Sequence, residues 1–426
     1  MNSYYIWTIG CQMNKADSER LASALEQLGL QAVEAPRDAD IIVLNSCVVR
    51  QSAEDKVVGT LGMMKPLKVS EPDKVLALMG CMVGSKSDEL KARFPYVDAF
   101  MRPQQYGPLL DLLGERMGLD WEGCVGNLTP TRPSVSCYVP IIQGCDLMCT
   151  FCIIPYRRGR QVSRPIPEIV REVELLVDRG VKEVTLLGQT VDAYGYDLTE
   201  GHDLADLLHA LSPIEGLIRI RFLTSHPMFM SQRIIEAVAE LDKVCEHINL
   251  PVQAGDDEVL ARMRRHYTER DYRSLIDRIR STIPQVSLST DVIVGFPGET
   301  REQYQHTVEL IKDIEFDKVH VAAYSPRPGT IASRKLPDDV LQEEKAYRMR
   351  NLDEIQEKIL SQKNSGLLGE AVEVLVDSRK NGKWQGRTRT DKLVFFEDEG
   401  EYLGELINVK VTRTSPWSLQ GVPVDT

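Results

Sequence analysis

Cys145, Cys149 and Cys152 form a C-x3-C-x2-C run, three thiols within eight residues. At that spacing the sulfurs can face one centre, and soft thiolate ligands select an iron-sulfur cluster or zinc. A closed zinc site asks for a fourth Cys or His nearby, and residues 153–164 supply neither. On a four-iron cube, three ligands leave one iron open to a substrate or cofactor. Three further cysteines stand in Ile9-Gly10-Cys11, Asn45-Ser46-Cys47 and Met79-Gly80-Cys81. One such residue is explained by burial as a small hydrophobe. Three at equivalent places point to a second three-thiolate site. Cys124, Cys137 and Cys245 show no such pattern and read as structural.

The elements that must hold these residues alternate between β-rich runs and amphipathic helical patterns. Tyr4 to Ile9, Ile41 to Leu44 and Val75 to Met79 read as strands that each end just before one of the cysteines. Between the first two, Asp17 or Ser18 is expected to cap a helix with Leu21, Ala24, Leu25 and Leu28 on one face and Gly29 at its end. A second helix is expected from about Ser52. This alternation predicts a doubly wound parallel sheet, whose strand ends open onto one crevice. A stretch rich in Gly, Asn, Thr and Pro from about Trp121 to Ser136 reads as a linker.

Alternation then resumes with Tyr138 to Ile142, Glu183 to Leu187, Ile218 to Leu223, His247 to Val252, Ser287 to Val294 and Lys318 to Tyr324. Helices separate these strands; the first is expected over Pro167 to Arg179, with Ile169, Val170, Val173, Leu176 and Val177 inward. Six β-α units predict a TIM-like partial (β/α)6 barrel, whose active sites lie at the carboxyl ends of the strands. That is where Cys145, Cys149 and Cys152 fall. By position Ser225, Gln253, Asp291 and Gly295 face the same mouth, although each also suits a polar cap or turn. After a polar helix over Asp338 to Gln362, short strands at Ala371 to Val376, Trp384 to Thr388, Leu393 to Phe396 and Ile407 to Thr412 predict a small antiparallel β-barrel. The expected domains are 1–120, 131–362 and 363–426.

Composition narrows the partners. With 42% hydrophobic and 27% charged residues the chain is globular material, not disordered or fibrous. Nothing approaches a membrane helix and the opening residues carry no targeting pattern, so the expected compartment is the cytoplasm, with reduced thiols. A net charge of -12 argues against a broadly basic coat. Two local segments run against that average. Ser378 to Lys392 holds Arg379, Lys380, Lys383, Arg387, Arg389 and Lys392 around Trp384, a pattern suited to phosphate contact and base stacking. Tyr156 to Arg160 adds Arg157, Arg158 and Arg160. Charge runs are more often solvated faces, and placement beside a cluster and on a terminal barrel is what raises these two. His226, His247 and His266 read as packing or solvated residues.

The C-x3-C-x2-C run with Phe151 before its last cysteine resembles the radical S-adenosylmethionine signature. That resemblance implies a 4Fe-4S cluster whose open iron binds S-adenosyl-L-methionine, with Phe151 near the adenine and Gly188 and Gln189 near the methionine amino group. Over essentially the whole chain the sequence resembles the methylthiotransferases. Gly10-Cys11-Gln12-Met13-Asn14 with Asp17-Ser18-Glu19 is similar to the tRNA-modifying, MiaB-type branch. So are Asn45-Ser46-Cys47-Val48-Val49-Arg50, Gln143-Gly144-Cys145-Asp146, Leu250-Pro251-Val252-Gln253-Ala254-Gly255, Val294 to Thr300 and Tyr324 to Thr330. Departures at Ser46, at Val83-Gly84 and at Thr190 to Ala193 touch flanks and not the cluster cysteines.

The family implies a second, auxiliary 4Fe-4S cluster on Cys11, Cys47 and Cys81, where sulfur is methylated. It also implies a radical made at the first cluster and insertion of a methylthio group at C2 of N6-dimethylallyladenosine beside a tRNA anticodon. The terminal barrel resembles the TRAM domain, an RNA-binding module. Expected partners are the tRNA anticodon stem-loop, an electron donor and a sulfur source, with the chain acting as a monomer. Two alternatives stand beside this reading: the same chemistry on an aspartate of a small-subunit ribosomal protein, and a non-catalytic RNA-binding protein holding structural zinc.

Overall fold

The computed structural model describes residues 1–48, 51–84, 88–126, 128–131 and 133–424, with residue 124 described by its backbone alone. Val49 and Arg50 of the Asn45 block therefore lie outside the described residues. The chain forms two compact units. One comprises Met1–Arg132, Tyr138–Leu147 and Cys152–Val162; the other comprises Pro133–Cys137, Met148–Phe151 and Ser163–Thr426.

In the first unit β1 (Ser3–Thr8), β2 (Gln31–Ala32), β3 (Ile41–Ser46), β4 (Val75–Gly80) and β5 (Ala99–Met101) form a parallel sheet of order β2-β1-β3-β4-β5. This is a doubly wound order with its switch point between β1 and β3. The reversal explains why β3 and β4 are buried along their whole length: helices cover both faces. One face packs Leu21, Ala24, Leu25 and Leu28 against Ile41, Val43 and Val75. The other packs Val57 and Leu61 against Ile42, Leu44 and Leu76. Helix α1 spans Gln12–Gln27, starting five residues before the expected cap, because Cys11 occupies the N-cap position in extended backbone. Asp17 and Ser18 are buried inside the helix and cap nothing. The edge strands β2 and β5 are too short to give a periodic signal.

The remaining parallel strands are β6 (Ser136–Pro140), β9 (Glu183–Leu187), β10 (Arg219–Phe222), β11 (His247–Asn249), β12 (Ser287–Val294) and β13 (Lys318–Ala323), with two short strands, β7 (Ile142–Gln143) and β8 (Val162–Ser163), between the first two. They form sheets ordered β10-β9-β6 and β11-β12-β13, joined by a single parallel bridge from Ile220 to Val244. This is the expected partial barrel of six strands. The helix Ile166–Asp178 buries Ile169, Val173 and Leu176, leaves Val170 and Val177 half-buried, and seats the buried Glu172 on Arg164 at 2.5 Å.

A closed barrel ends the chain: β14 (Ala371–Lys380), β15 (Lys383–Arg387), β16 (Leu393–Phe396), β17 (Leu406–Thr414) and β18 (Leu419–Val424), ordered β14-β15-β16-β18-β17. One pairing, β16 with β18, is parallel, so the barrel is antiparallel at every seam but that one. Its core is Val374, Val376, Trp384, Val394, Phe396, Val409, Val411 and Leu419. Within the second unit this barrel docks at the amino ends of β9 to β11. Arg219 donates to the Arg387 carbonyl and to Glu373, and Arg221 donates to the carbonyls of Thr388 and Arg389 and to Glu183. Among the described residues no helix is long and apolar enough to cross a membrane.

Candidate functional site: two thiol groups and a barrel mouth

Strand geometry gathers the first three cysteines. Cys11 follows β1, Cys47 follows β3 and Cys81 follows β4, three adjacent strands that end on the same side. The thiols of Cys11 and Cys47 lie near enough to act electrostatically on Cys81. Burial pushes the Cys81 thiol up to about 11, the other two thiols add to that, and the Arg158 guanidinium opposes it. Cys47 and Cys81 are buried while Cys11 is exposed, so the group opens on one side.

Reciprocal amides hold the loops. Asn14 donates to Asn45 Oδ1 (2.9 Å) and to the Ser46 carbonyl (2.8 Å), and Asn45 donates to the Asn14 carbonyl (2.7 Å) and to Ser18 Oγ (2.8 Å). Ser46 Oγ donates to the Met79 carbonyl and accepts from the Met82 amide, tying β3 to β4. The glycines before Cys11 and Cys81 follow from the same crowding. A Cβ on Gly10 would stand 2.7 Å from Cys47 Cβ, and one on Gly80 would overlap Asn45 Oδ1 and the Ser46 carbonyl; both have left-handed φ, 137° and 99°.

Three thiols on three separate loops suit a cluster whose irons each take one protein sulfur. Among the described residues no three His, Cys, Asp or Glu side chains converge on one point as single-ion ligands would. Separate irons of a cube take ligands that stand further apart than those of one zinc. The donor set is all thiol, and Arg158 keeps a buried Nη1 with no hydrogen-bond partner among the described residues. Both fit an anionic sulfur-bearing group.

In the second triad Cys145 and Cys152 belong to the first unit and are half-buried, and the Cys145 amide donates to the Gly159 carbonyl at 3.2 Å. Cys149 and Phe151 belong to the second unit. Cys149 is buried and accepts from Arg265 Nη1 at 3.6 Å; Phe151 packs edge-on to Phe296.

At the carboxyl ends of β9 and β10 three buried polar atoms have no hydrogen-bond partner among the described residues: Gln189 Oε1, Ser225 Oγ and His226 Nε2. Buried polar atoms without partners are costly unless a ligand completes them. Gly188 is buried beside Gln189. His226 is a packing residue held neutral, its pKa lowered to about 2 by burial and then by Arg265, and its backbone amide donates to both oxygens of Asp192 at 2.9 Å. Burial raises Asp192 to about 8 and Asp291 to about 6, the latter against a hydrogen bond from Asn249. Gln253 has a left-handed φ of 71° and pairs through its backbone with Asp291 and Ile293. Gly295 has a packing reason of its own: its amide is taken by Glu299 at 2.5 Å, and a Cβ there would collide with Lys345. Sequence reasoning missed Arg265 and Asp192. Their signal lay in charge surviving inside an otherwise apolar barrel, which spacing does not reveal.

Three RNA assignments are corrected. Arg158 has 1% of its side chain exposed and is committed to Asp17 and Cys81, so no phosphate reaches it. Trp384 is 2% exposed in the barrel core and cannot stack on a base; Arg379 covers its ring at 4.9 Å. Arg389 spends all three nitrogens on Glu246 and on the carbonyls of Asp242 and Val244. Of the others, Lys380 and Arg160 are exposed, Arg157 is half-buried, Lys383 pairs with Glu397 and Arg387 with Asp391.

Known proteins resemble this chain over nearly its whole length. The chain matches the Radical SAM superfamily over residues 139–311, the uncharacterized protein family UPF0004 over 3–102 and the TRAM domain over 367–424. It is similar to the tRNA-2-methylthio-N(6)-dimethylallyladenosine synthase of Roseiflexus sp., 51% identical over 98% of this chain and 89% of that one. The synthases of Dehalococcoides mccartyi and Herpetosiphon aurantiacus are each 49% identical over 99% of this chain, and 98% and 97% of theirs. Among solved structures the fold resembles the radical S-adenosylmethionine methyltransferase TsrM of Kitasatospora setae, with TM-score 0.57 and 14% identity over 78% of this chain and 77% of that one. It also resembles the cobalamin-dependent radical enzyme OxsB, with TM-score 0.52 and 11% identity over 84% and 56%. Thiol triad, barrel mouth and terminal barrel thus occur together in a chain that belongs to the tRNA-2-methylthio-N(6)-dimethylallyladenosine synthase family of radical SAM enzymes.

Proposed function

We propose that this enzyme replaces the hydrogen at C2 of N6-dimethylallyladenosine, beside the anticodon of a tRNA, with a methylthio group. The observation that carries the proposal is the placement of Cys11, Cys47 and Cys81 just past the ends of three adjacent parallel strands, near enough to act on one another electrostatically, in a member of this family. Those residues are assigned to an auxiliary 4Fe-4S cluster, and Cys145, Cys149 and Cys152 to the radical one. When bound, the clusters and S-adenosyl-L-methionine supply the electron, the hydrogen abstraction and the methylated sulfur.

The protein's own residues prepare the ground. C2 of adenine is not acidic, so a side-chain base alone would not activate it. Asn14, Asn45 and Ser46 fix the thiol loops so that the sulfurs need not reorganise on binding. Gln189 Oε1 is assigned as an acceptor for the cofactor's amino group, with Gly188, Ser225, Gln253 and Asp291 around it and Phe151 near the adenine. The working division is 1–120 for the auxiliary cluster, 131–362 for the radical core and 363–426 for RNA. The reading has the chain acting as a monomer in the cytoplasm, supplied by an electron donor and a sulfur source, with the anticodon stem-loop meeting Arg157, Arg160, Arg379, Lys380, Lys383 and Arg387.

Anaerobic reconstitution should give about eight irons per chain. Cys149→Ala should abolish cofactor cleavage, whereas Cys47→Ala should keep cleavage and stop sulfur insertion, as read by mass spectrometry of tRNA nucleosides. Zinc without iron, or methylthiolation retained in either variant, would overturn the proposal.

A further inference from the structure

Arg158 lies six residues past Cys152, at the end of the short helix Ile154–Arg158, yet its side chain reaches the other cysteine group. Nε lies 3.2 Å from Cys81 Sγ and Nη2 lies 3.2 Å from Asp17 Oδ2, with 1% and 0% of the Arg158 and Asp17 side chains exposed. Ile153, one residue before that helix, belongs to the same hydrophobic core as Cys81, Met82 and Val83, which fixes the segment. A full guanidinium, buried with one carboxylate and turned edge-on to a sulfur, is expensive beside a neutral thiol and well matched to a thiolate. Nη1 has no partner among the described residues, leaving a second donor on the same cation for an acceptor that the protein does not provide.

We infer that Arg158 is a positioning residue for the auxiliary cluster: oriented by Asp17, it donates to the Cys81 sulfur and supplies the positive charge that sets the cluster's reduction potential. The inference rests on the assignment of Cys11, Cys47 and Cys81 as ligands. Hydrogen bonds to ligating sulfurs, together with net local charge, are among the levers that fix the potential of such clusters. A donor on sulfur withdraws electron density and favours the reduced form. Asp17 pulls the other way through its negative charge while holding the guanidinium in place. Arginine suits the place because its planar fork presents separate Nε and Nη2 donors to the sulfur and the carboxylate in one fixed geometry, whereas an ammonium is a single point charge. The loop that carries Cys152 thus also carries the charge partner of the first triad.

The test uses the full chain with Cys145, Cys149 and Cys152 all replaced by Ala, reconstituted anaerobically, so that about four irons report the auxiliary cluster alone. Redox titration followed by electron paramagnetic resonance then compares this background with Arg158→Gln and with Asp17→Asn. Arg158→Gln should lower the midpoint potential by a shift equivalent to about tenfold in the reduction equilibrium, about 59 mV for one electron. Asp17→Asn should raise it. A purely structural role would not give opposite signs. If Arg158→Gln fails to fold, Arg158→Lys decides instead, because it keeps the charge and loses the Nε donor to Cys81: a lowered midpoint potential supports the inference and an unchanged one overturns it. Potentials unchanged with iron bound would overturn the role of Arg158 and leave the ligand assignment standing. A background that binds no iron would overturn the ligand assignment and this inference with it.

Discussion

The guanidinium of Arg389 closes on the carboxylate of Glu246, with Nη2 2.7 Å from Oε1 and Nε 2.8 Å from Oε2. Its remaining donors go to the carbonyls of Asp242 and Val244, each at 2.7 Å. A residue from the basic ribbon of the terminal barrel is therefore a bolt into the β10 to β11 connection of its own unit. Burial alone would raise Glu246, but the hydrogen bonds and charge of Arg389 outweigh it and hold the carboxyl below its usual range.

Arg389→Ala should accordingly cost stability before it costs RNA affinity. Losing the partner of a half-buried carboxylate, with two carbonyls left bare, is expected to destabilise this unit by about 2–4 kcal/mol. Thermal melts of Arg389→Ala and Lys380→Ala would separate the two roles, with the first melting lower and the second unchanged. Equal melting temperatures would show that the bolt contributes nothing.

RNA affinity should reside in the basic side chains that remain exposed to solvent. Lys380 is exposed at the β14 to β15 turn, while Lys383 and Arg379 each keep more than two-fifths of their side chains in solvent. Replacing Lys380 and Lys383 by Ala should weaken tRNA binding and reduce the slope of log affinity against log salt by about 0.7–0.9 for each phosphate no longer neutralised. Trp384→Phe keeps the barrel core filled and should leave the slope unaltered. A slope that ignores both lysines would move the RNA surface elsewhere.

The difference between Trp384 and Lys380 shows what the sequence could carry. Strands, helices and the placement of Cys11, Cys47 and Cys81 past the ends of adjacent strands were legible, because burial leaves periodic apolar runs and loops leave Gly, Asn and Pro. The family blocks were legible as letters, but not the reason for them. Asn45 donates to the Asn14 carbonyl while Asn14 donates to the Asn45 side chain and the Ser46 carbonyl, and Asp17, expected as a helix cap, instead anchors a guanidinium from far along the chain. Pairings of that range depend on packing, and local charge counts cannot report them. Arg158, Arg379 and Arg389 look alike in a basic run; burial makes them three different residues.

Gly80 gives a sharp test of the thiol crevice. At φ 99°, a Cβ would meet Asn45 Oδ1 and the Ser46 carbonyl. Gly80→Ala is therefore expected to cost at least about 1–3 kcal/mol and to displace the Cys47 and Cys81 loops. Reconstituted iron should fall toward half, with the radical cluster kept, whereas Gly29→Ala, where the added methyl meets nothing within 4 Å, should retain full iron. Full iron in Gly80→Ala would mean that the crevice tolerates a wider loop than this packing allows.

His247 makes the second unit sensitive to mild acid. Burial lowers its pKa to about 4, against the pull of Asp391; Nε2 meets Ser289 Oγ at 3.2 Å, and Nδ1 is buried with no partner among the described residues. An unfolded histidine titrates near 6.5, so between the two values the unfolded chain binds more protons and stability falls as the pH falls. The loss attributable to this group is about 2 kcal/mol at pH 5, and nearly all of it is restored above about pH 7. His247→Gln removes the titration while keeping a polar side chain of similar length. Its melting temperature should therefore drop less than the wild type's between about pH 7 and pH 5, a comparison in which the carboxylates common to both chains cancel. Parallel drops in the two proteins would assign the acid sensitivity to other groups.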